Sequence, residues 1–262
     1  MKRYLKIFRL QLVNQIVSYS IFKGDTILLL ISDTFGLIFS VIFFKALYNN
    51  IHAIGAWNYE STLLLVGIAN FVDSFYRFLF EKNVRRISAL VRKGTLDYAL
   101  IKPIDIQFYL STGRFNFQTL SSLLLSILII LHAVKLLRLA INVFNVIVFI
   151  VLLMVGISLR YVFSLYSSII SFYTTRVSAF HSLQAEIFKY AEYPLDVFRG
   201  LTERIFFTLM FPIILIANAP AIAIIQNRNY LVILSIFISA VHFYLSRALL
   251  FASLNKYQSA GG

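Results

Sequence analysis

EKNVRRISALVRKGTLDYALIKPIDIQ, residues 81–107, is the longest polar connection in a chain that is otherwise almost wholly apolar. It carries six basic residues, Lys82, Arg85, Arg86, Arg92, Lys93 and Lys102, against three acids, Glu81, Asp97 and Asp105. Lys and Arg beside the ends of apolar spans resist translocation, so a basic connection of this kind stays in the cytoplasm. It is long enough to hold a short helix that another protein can grip. A membrane protein with no soluble domain but with such a helix reads as one driven by a partner.

The composition agrees with the membrane reading. Of 262 residues, 60% are hydrophobic and 13% charged, with a mean hydropathy of +0.82. Soluble domains are about 45–50% apolar and about 25% charged. The net charge of +13 gathers at span ends rather than on a soluble module, which points to topology and anionic lipid and away from nucleic acid. There is no cysteine, which excludes disulfides, thiolate nucleophiles and Cys-based metal sites. The first apolar run begins late and no small-residue cleavage site follows a short apolar core, so no cleavable signal peptide is expected.

The pattern of runs predicts an all-α integral membrane protein in one domain. Residues 1–23 read as an interfacial helix: Leu5, Phe8, Leu12 and Ile16 form one stripe, and Lys2, Arg3, Lys6 and Arg9 lie mostly off it. Gly24 and Asp25 mark a break. Spans of roughly 20 residues are expected at 25–47, 61–80, 115–134 and 229–251, with a longer apolar run at 141–175 interrupted by Gly156, Ser158 and Arg160. Lys and Arg number five in residues 1–24, none in 48–60 and seven in 81–114. That asymmetry puts both the N-terminus and the 81–107 segment in the cytoplasm, with Lys135 and Arg138 as an outside exception.

Residues 177–225 admit two readings. Hydropathy rejects 177–204 as a span, because Glu186, Lys189, Glu192 and Asp196 would each cost about 2.5–3.5 kcal/mol facing lipid at a helix centre. It makes 205–225 the span instead, although Pro212 and Pro220 fit a broken or re-entrant element.

No catalytic constellation can be assembled. The GxSxG, HExxH and GxxxxGK[ST] patterns are absent from the sequence, so ATP hydrolysis by the usual phosphate loop does not belong to this chain. His52, His132, His181 and His242 are scattered without ligand spacing and read as helix-end or packed histidines. The charges inside apolar runs carry more. Asp33 and Asp73 fall at similar depths in the first two spans, Arg77 is four residues after Asp73, and Arg160 lies well inside the fourth run. Charges in hydrocarbon face a bundle interior or a watery path, so these four form either a helix-orienting ion-pair network or part of a cargo path. Aromatic clusters such as Phe75/Tyr76/Phe78/Phe80 and Phe172/Tyr173 suit packing, or the lining of a path for hydrophobic cargo.

At these residues the chain resembles the permease subunits of ABC type-2 exporters, in the branch usually encoded beside a separate ATP-binding subunit. The resemblance covers nearly the full length. It is carried by the acid Asp33, by Val72-Asp73, and most specifically by Leu90-Val91-Arg92-Lys93-Gly94-Thr95-Leu96-Asp97 followed by Leu100-Ile101-Lys102-Pro103-Ile104-Asp105. Tyr193-Pro194-Leu195, Phe211-Pro212, Ala219-Pro220-Ala221 and the ending Tyr257-Gln258-Ser259-Ala260-Gly261-Gly262 follow in family order.

The resemblance implies a six-span half-transporter in a prokaryotic plasma membrane, with both termini cytoplasmic. It would pair with a second permease, homologous or identical, and with two ATP-binding subunits. ATP and magnesium would be bound in those partners, leaving no cofactor in this chain. Segment 81–107 would hold the coupling helix, with Arg92, Lys93, Asp97, Lys102 and Asp105 as coupling residues. By the same analogy 177–197 crosses as the fifth span and 200–225 re-enters from the outer side. Cargo would be amphipathic or hydrophobic: a drug, a lipid or a peptide. Two other classes compete, a non-transporting membrane anchor or sensor and an intramembrane enzyme acting on lipid through Asp33, Asp73 or His132. Copurification of an ATP-binding subunit separates the first reading from both.

Overall fold

The computed structural model describes residues 2–19, 23–139, 142–174, 177–226 and 230–257. Every regular element among them is helical. Helix α1 is Lys2–Tyr19 and α2 is Lys23–Tyr48. Helices α3 (Tyr59–Tyr76) and α4 (Lys82–Arg92) are joined by a π turn, Arg77–Glu81. Two short helices, α5 (Asp97–Leu100) and α6 (Ile106–Ser111), lead to α7 (Leu120–Leu136) and α8 (Val143–Ile169). Then come α9 (Val177–Lys189), α10 (Leu201–Ile205), α11 (Ile213–Gln226) and α12 (Tyr230–Leu254).

Five stretches are long and apolar enough to cross a membrane: Leu30–Tyr48, Tyr59–Arg92, Phe117–Leu136, Val143–Phe172 and Leu231–Leu254. A sixth arises only if Leu201–Met210 and Ile213–Gln226, bent by 97° at their junction, count as one broken span. The chain is a multi-pass membrane protein. The expected boundaries at Thr175, Arg176 and Asn229, and the ending Gln258–Gly262, lie outside the described residues.

Several expected boundaries move, each for a local reason. The helix of the second span does not stop at Phe80: Tyr59–Arg92 is one rod of 34 residues, about 51 Å long at 1.5 Å per residue, which exceeds the ~30 Å hydrocarbon core. Val84 and Ile87 continue the apolar stripe at helical spacing and are fully buried, so the helix carries on past the span. The first half of the basic connection is therefore this helical extension. Gly24 and Asp25 do not break the chain but sit in the first turn of α2.

Gly156 does not interrupt α8 either; it lets another backbone in. Pro220 stands inside α11 and has no N–H to give the carbonyl four residues back, at Ile216. That carbonyl meets α8 at Gly156, where a Cβ would lie 2.8 Å from it. Only glycine permits this approach, and small residues at crossings are how membrane helices come close. The sharp bend falls at Phe211-Pro212, not at Pro220. Helix α11 is buried on nearly every side from Ile213 to Ala223, as an all-apolar helix should be.

The bundle has two ends. At the basic end, Tyr4 packs edge-on against Phe108, Ser168 donates to the Val84 carbonyl, and the Tyr257 hydroxyl accepts from the Leu96 amide. At the far end, the Asp196 carboxylate accepts from the Ala56 amide at 2.9 Å. Helix α1 packs at the basic end through Tyr4, Phe8 and Gln11, while Leu5 and Ile16 of the expected stripe are exposed.

Segment 177–197 is not a continuous spanning helix: α9 has thirteen residues and ends in a 3-10 turn, Tyr190–Glu192. It starts beside Ser168, through His181, and its continuation reaches the far-end loop at Asp196. From there the bent pair turns inward, bringing the Leu209 carbonyl to His242 and Phe211 to Phe163, before α11 runs back along α8.

Candidate functional site

Four membrane-embedded charges from three helices converge. Arg77, the first residue of the π turn, holds Asp73 through Nε at 2.8 Å and also pairs with Asp33 on α2. Arg160 on α8 takes the other oxygen of Asp73 at 2.9 Å. Asp73 is thus shared by two guanidinium groups, and Arg77 by two carboxylates. Ser122 on α7 donates to Asp33 and is hydrogen-bonded to Ser74 at 2.9 Å. A buried charge must be paired and hydrogen-bonded to persist. This set does so with two acids against two bases, net zero.

Arg160 is further enclosed. Its guanidinium lies 4.4 Å from the Tyr76 ring centroid and 4.5 Å from that of Phe188, within the range of cation–π attraction. With its amide oriented by its neighbours, Gln184 accepts from Arg160 at 2.9 Å. The sequence singled out Asp33, Asp73, Arg77 and Arg160 and placed Tyr76 only in an aromatic cluster, but missed Ser74, Ser122, Gln184 and Phe188. Serines, aromatics and an amide in apolar helices carry no local mark of a partner tens of residues away.

The network faces a cavity of about 730 Å³ bordered by α2, α3 and the turn after α9. Asp73 opens toward it, its side chain 38% exposed against 9% for Arg160. Across the cavity Glu192 accepts from Asn70 at 3.1 Å. Lys189 pairs with Glu186 at 2.9 Å on an exposed face. The arrangement offers no activated nucleophile. It can hold helices in register and present paired charges to a polar part of a passing molecule.

The basic connection is the second feature. Helix α4 ends in a Schellman motif: Gly94 sits at φ 64, its amide bonds the Val91 carbonyl, and the Thr95 amide bonds that of Leu90. Glycine is needed there because a side chain would strain that φ. Leu96 is fully buried behind the turn. Arg92, Lys93, Lys102 and Pro103 are exposed, together with Tyr98 at 71% and Ile101 at 73%.

Asp105 differs from the exposed Arg92, Lys93 and Lys102, because it turns inward, while Asp97 is half-buried at the start of α5. It caps α6 by accepting from the Phe108 amide at 2.9 Å and pairs with Arg247 of α12 at 2.6 Å. Arg247 also donates to Gln107 at 3.0 Å. The aromatic cluster of the second span divides in the same way: Tyr76 is buried under Arg160, while Phe75 and Phe80 line a separate cavity.

Arg247, with the Phe108 amide, holds the Asp105 carboxyl below the usual carboxylate range. A lowered folded value contributes stability present above the unfolded pKa of about 3.9 and lost as pH falls through the folded one. The Arg247 side chain is 42% exposed, so the clasp is worth about 1 kcal/mol or less. Asp105→Asn should accordingly show a smaller melting difference between neutral and strongly acid pH than the parent chain. Equal differences in the two proteins would remove Asp105 from this role.

Against known proteins, a family model described as ABC-2 family transporter protein matches residues 35–261. Comparison with curated proteins and with solved structures gave no match.

Proposed function

The chain belongs to the ABC-2 transporter family, and from that premise we propose that it is the permease subunit of an ATP-driven exporter. Hydrolysis would occur in two partner subunits, which bind ATP and magnesium, and this chain would contribute no catalytic residue. The observation that carries the reading is the tip of the basic connection. Tyr98, Leu100 and Ile101 stand exposed between Arg92, Lys93 and Lys102, and the segment beneath them is fixed by Leu96, Tyr257 and the Asp105–Arg247 pair. An apolar centre with a charged rim is the anatomy of a docking surface, and its rigid seat suits the transmission of force.

In this reading the basic end, with both termini, faces the cytoplasm of a prokaryote. A second permease, homologous or identical, closes the bundle along α2, where the charge-lined cavity opens beside exposed Phe35 and Phe39. Cargo is amphipathic or hydrophobic, a drug, lipid or peptide, moved by alternating access. The test is capture of an ATP-binding subunit with this chain from solubilised membranes, with ATPase activity that depends on it. An ATPase that neither associates nor responds would sink the proposal.

The same reading has 177–197 cross the bilayer and 200–225 re-enter from outside. The contacts at Ser168 and Asp196 support the crossing, since they lie at opposite ends of the bundle. The chain has no cysteine, and Thr202 is exposed beyond Asp196, so Thr202→Cys reports cleanly. An impermeant thiol reagent should label it in intact cells. Labelling only after lysis would put Thr202 inside and make 205–225 the fifth span.

A further inference from the structure

Near the basic end, between α1, the π turn, α6, α8 and α12, lies a second cavity of about 540 Å³, apart from the charge network. Its apolar walls include Phe8, Phe75, Phe80, Met154, Ile157 and Phe243, and its polar lining includes Asp105, Gln107 and Arg247. We propose that this cavity holds one acyl chain of an anionic phospholipid drawn from the leaflet at the basic end.

Three observations select that occupant. First, polar groups that line it already satisfy one another: Arg247 binds Asp105 and Gln107, and the Tyr161 hydroxyl is bonded to Ser111 and Gln107. What remains is hydrocarbon surface of a size typical for ligand pockets, about 300–1,000 Å³, and each methylene buried is worth about 0.8 kcal/mol. Second, the rim residues Met154 and Phe243 are 56% and 43% exposed on two helices that span the bilayer, so the entrance opens sideways into lipid.

Third, the surroundings are cationic. Arg9 follows Phe8 on α1, and Arg114 is two residues after Thr112, another lining residue. Burial and the like charge of Arg86 pull Arg114 below its usual value. Among the described residues neither Arg86 nor Arg114 forms an ion pair. Basic groups at a membrane surface attract anionic headgroups by about 1 kcal/mol each. The proposal needs only the membrane setting and stands whether or not the chain is a transporter subunit.

The test uses the full chain in bilayers doped with a phosphatidylglycerol carrying a photoactivatable group in its acyl chain. After irradiation, adducts on Met154, Ile157 and Phe243 are compared with those on Leu124, a lipid-facing residue of α7 that is 61% exposed. Adducts should favour the cavity, and Ser158→Trp, which fills it from the α8 wall, should lower them about tenfold. Met154→Trp should act likewise from the exposed rim, where folding is not at stake. A phosphatidylcholine analogue should label less, and Arg86→Gln with Arg114→Gln should bring phosphatidylglycerol down to its level. Cavity labelling equal to Leu124 and unmoved by both tryptophans would overturn the site. Equal labelling by the two lipids would overturn the anionic headgroup.

Discussion

Asp73→Ala is expected to destabilise the bundle by about 3 kcal/mol, measured as loss of folded protein on heating in detergent. The cost comes from what the carboxylate leaves behind. Arg160 is nearly buried and, among the described residues, pairs with no other acid, whereas Arg77 keeps Asp33. Removing one partner of a buried pair strands the other charge, while removing both strands none. Combining Asp73→Ala with Arg160→Met should therefore recover much of the loss. Combining it with Arg77→Ala should not, since that leaves Asp33 with Ser122 alone. Residues that share one network are coupled. Strict additivity across the Asp73–Arg160 cycle would mean that the two do not depend on each other. On the i, i+4 pair alone, Arg77 would have been expected to carry the rescue; the contact across α8 transfers that role to Arg160.

The second large effect is expected at the tip of the basic connection. Tyr98→Glu together with Ile101→Glu should weaken capture of the ATP-binding subunit by about a hundredfold, the ~3 kcal/mol typical of losing anchor side chains. Both side chains are more than two-thirds exposed, so the isolated permease should melt unchanged, which separates lost docking from lost folding. Asp97→Ala with Lys102→Ala should act more mildly, on association rate and salt dependence, as rim charges do. Wild-type capture and export by the Tyr98/Ile101 variant would place the docking surface elsewhere.

How much of this was legible depends on the range of the signal. Asp73 and Arg77 are four residues apart on one helix face, so their pairing follows from helical spacing, and the structure contains it at 2.8 Å. The inward turn of Asp105 had no such mark. In sequence it is one acid in a basic run; its partner Arg247 lies 142 residues later and meets it only when α12 packs against the connection. Gly156 read as an interruption because a glycine in an apolar run looks like a weakness. It became a contact point once Pro220 had freed the Ile216 carbonyl opposite it. The π turn at Arg77–Glu81 likewise left no trace in composition.

The sequence by itself determined the membrane class, the main apolar spans, the one long basic connection and the residues whose charge must be paired. These follow from transfer energies and helical period, which act residue by residue along the chain. Tertiary structure alone decided that Arg160 is the dependent partner of Asp73, that the second span runs on as a rod to Arg92, and that 177–226 forms a short helix followed by a sharply bent pair. In that last region hydropathy weighs each charge as though it faced lipid. Glu192 instead meets Asn70, and Asp196 meets the Ala56 amide. Whether a polar group is costly depends on what packs against it, and that information exists only in three dimensions.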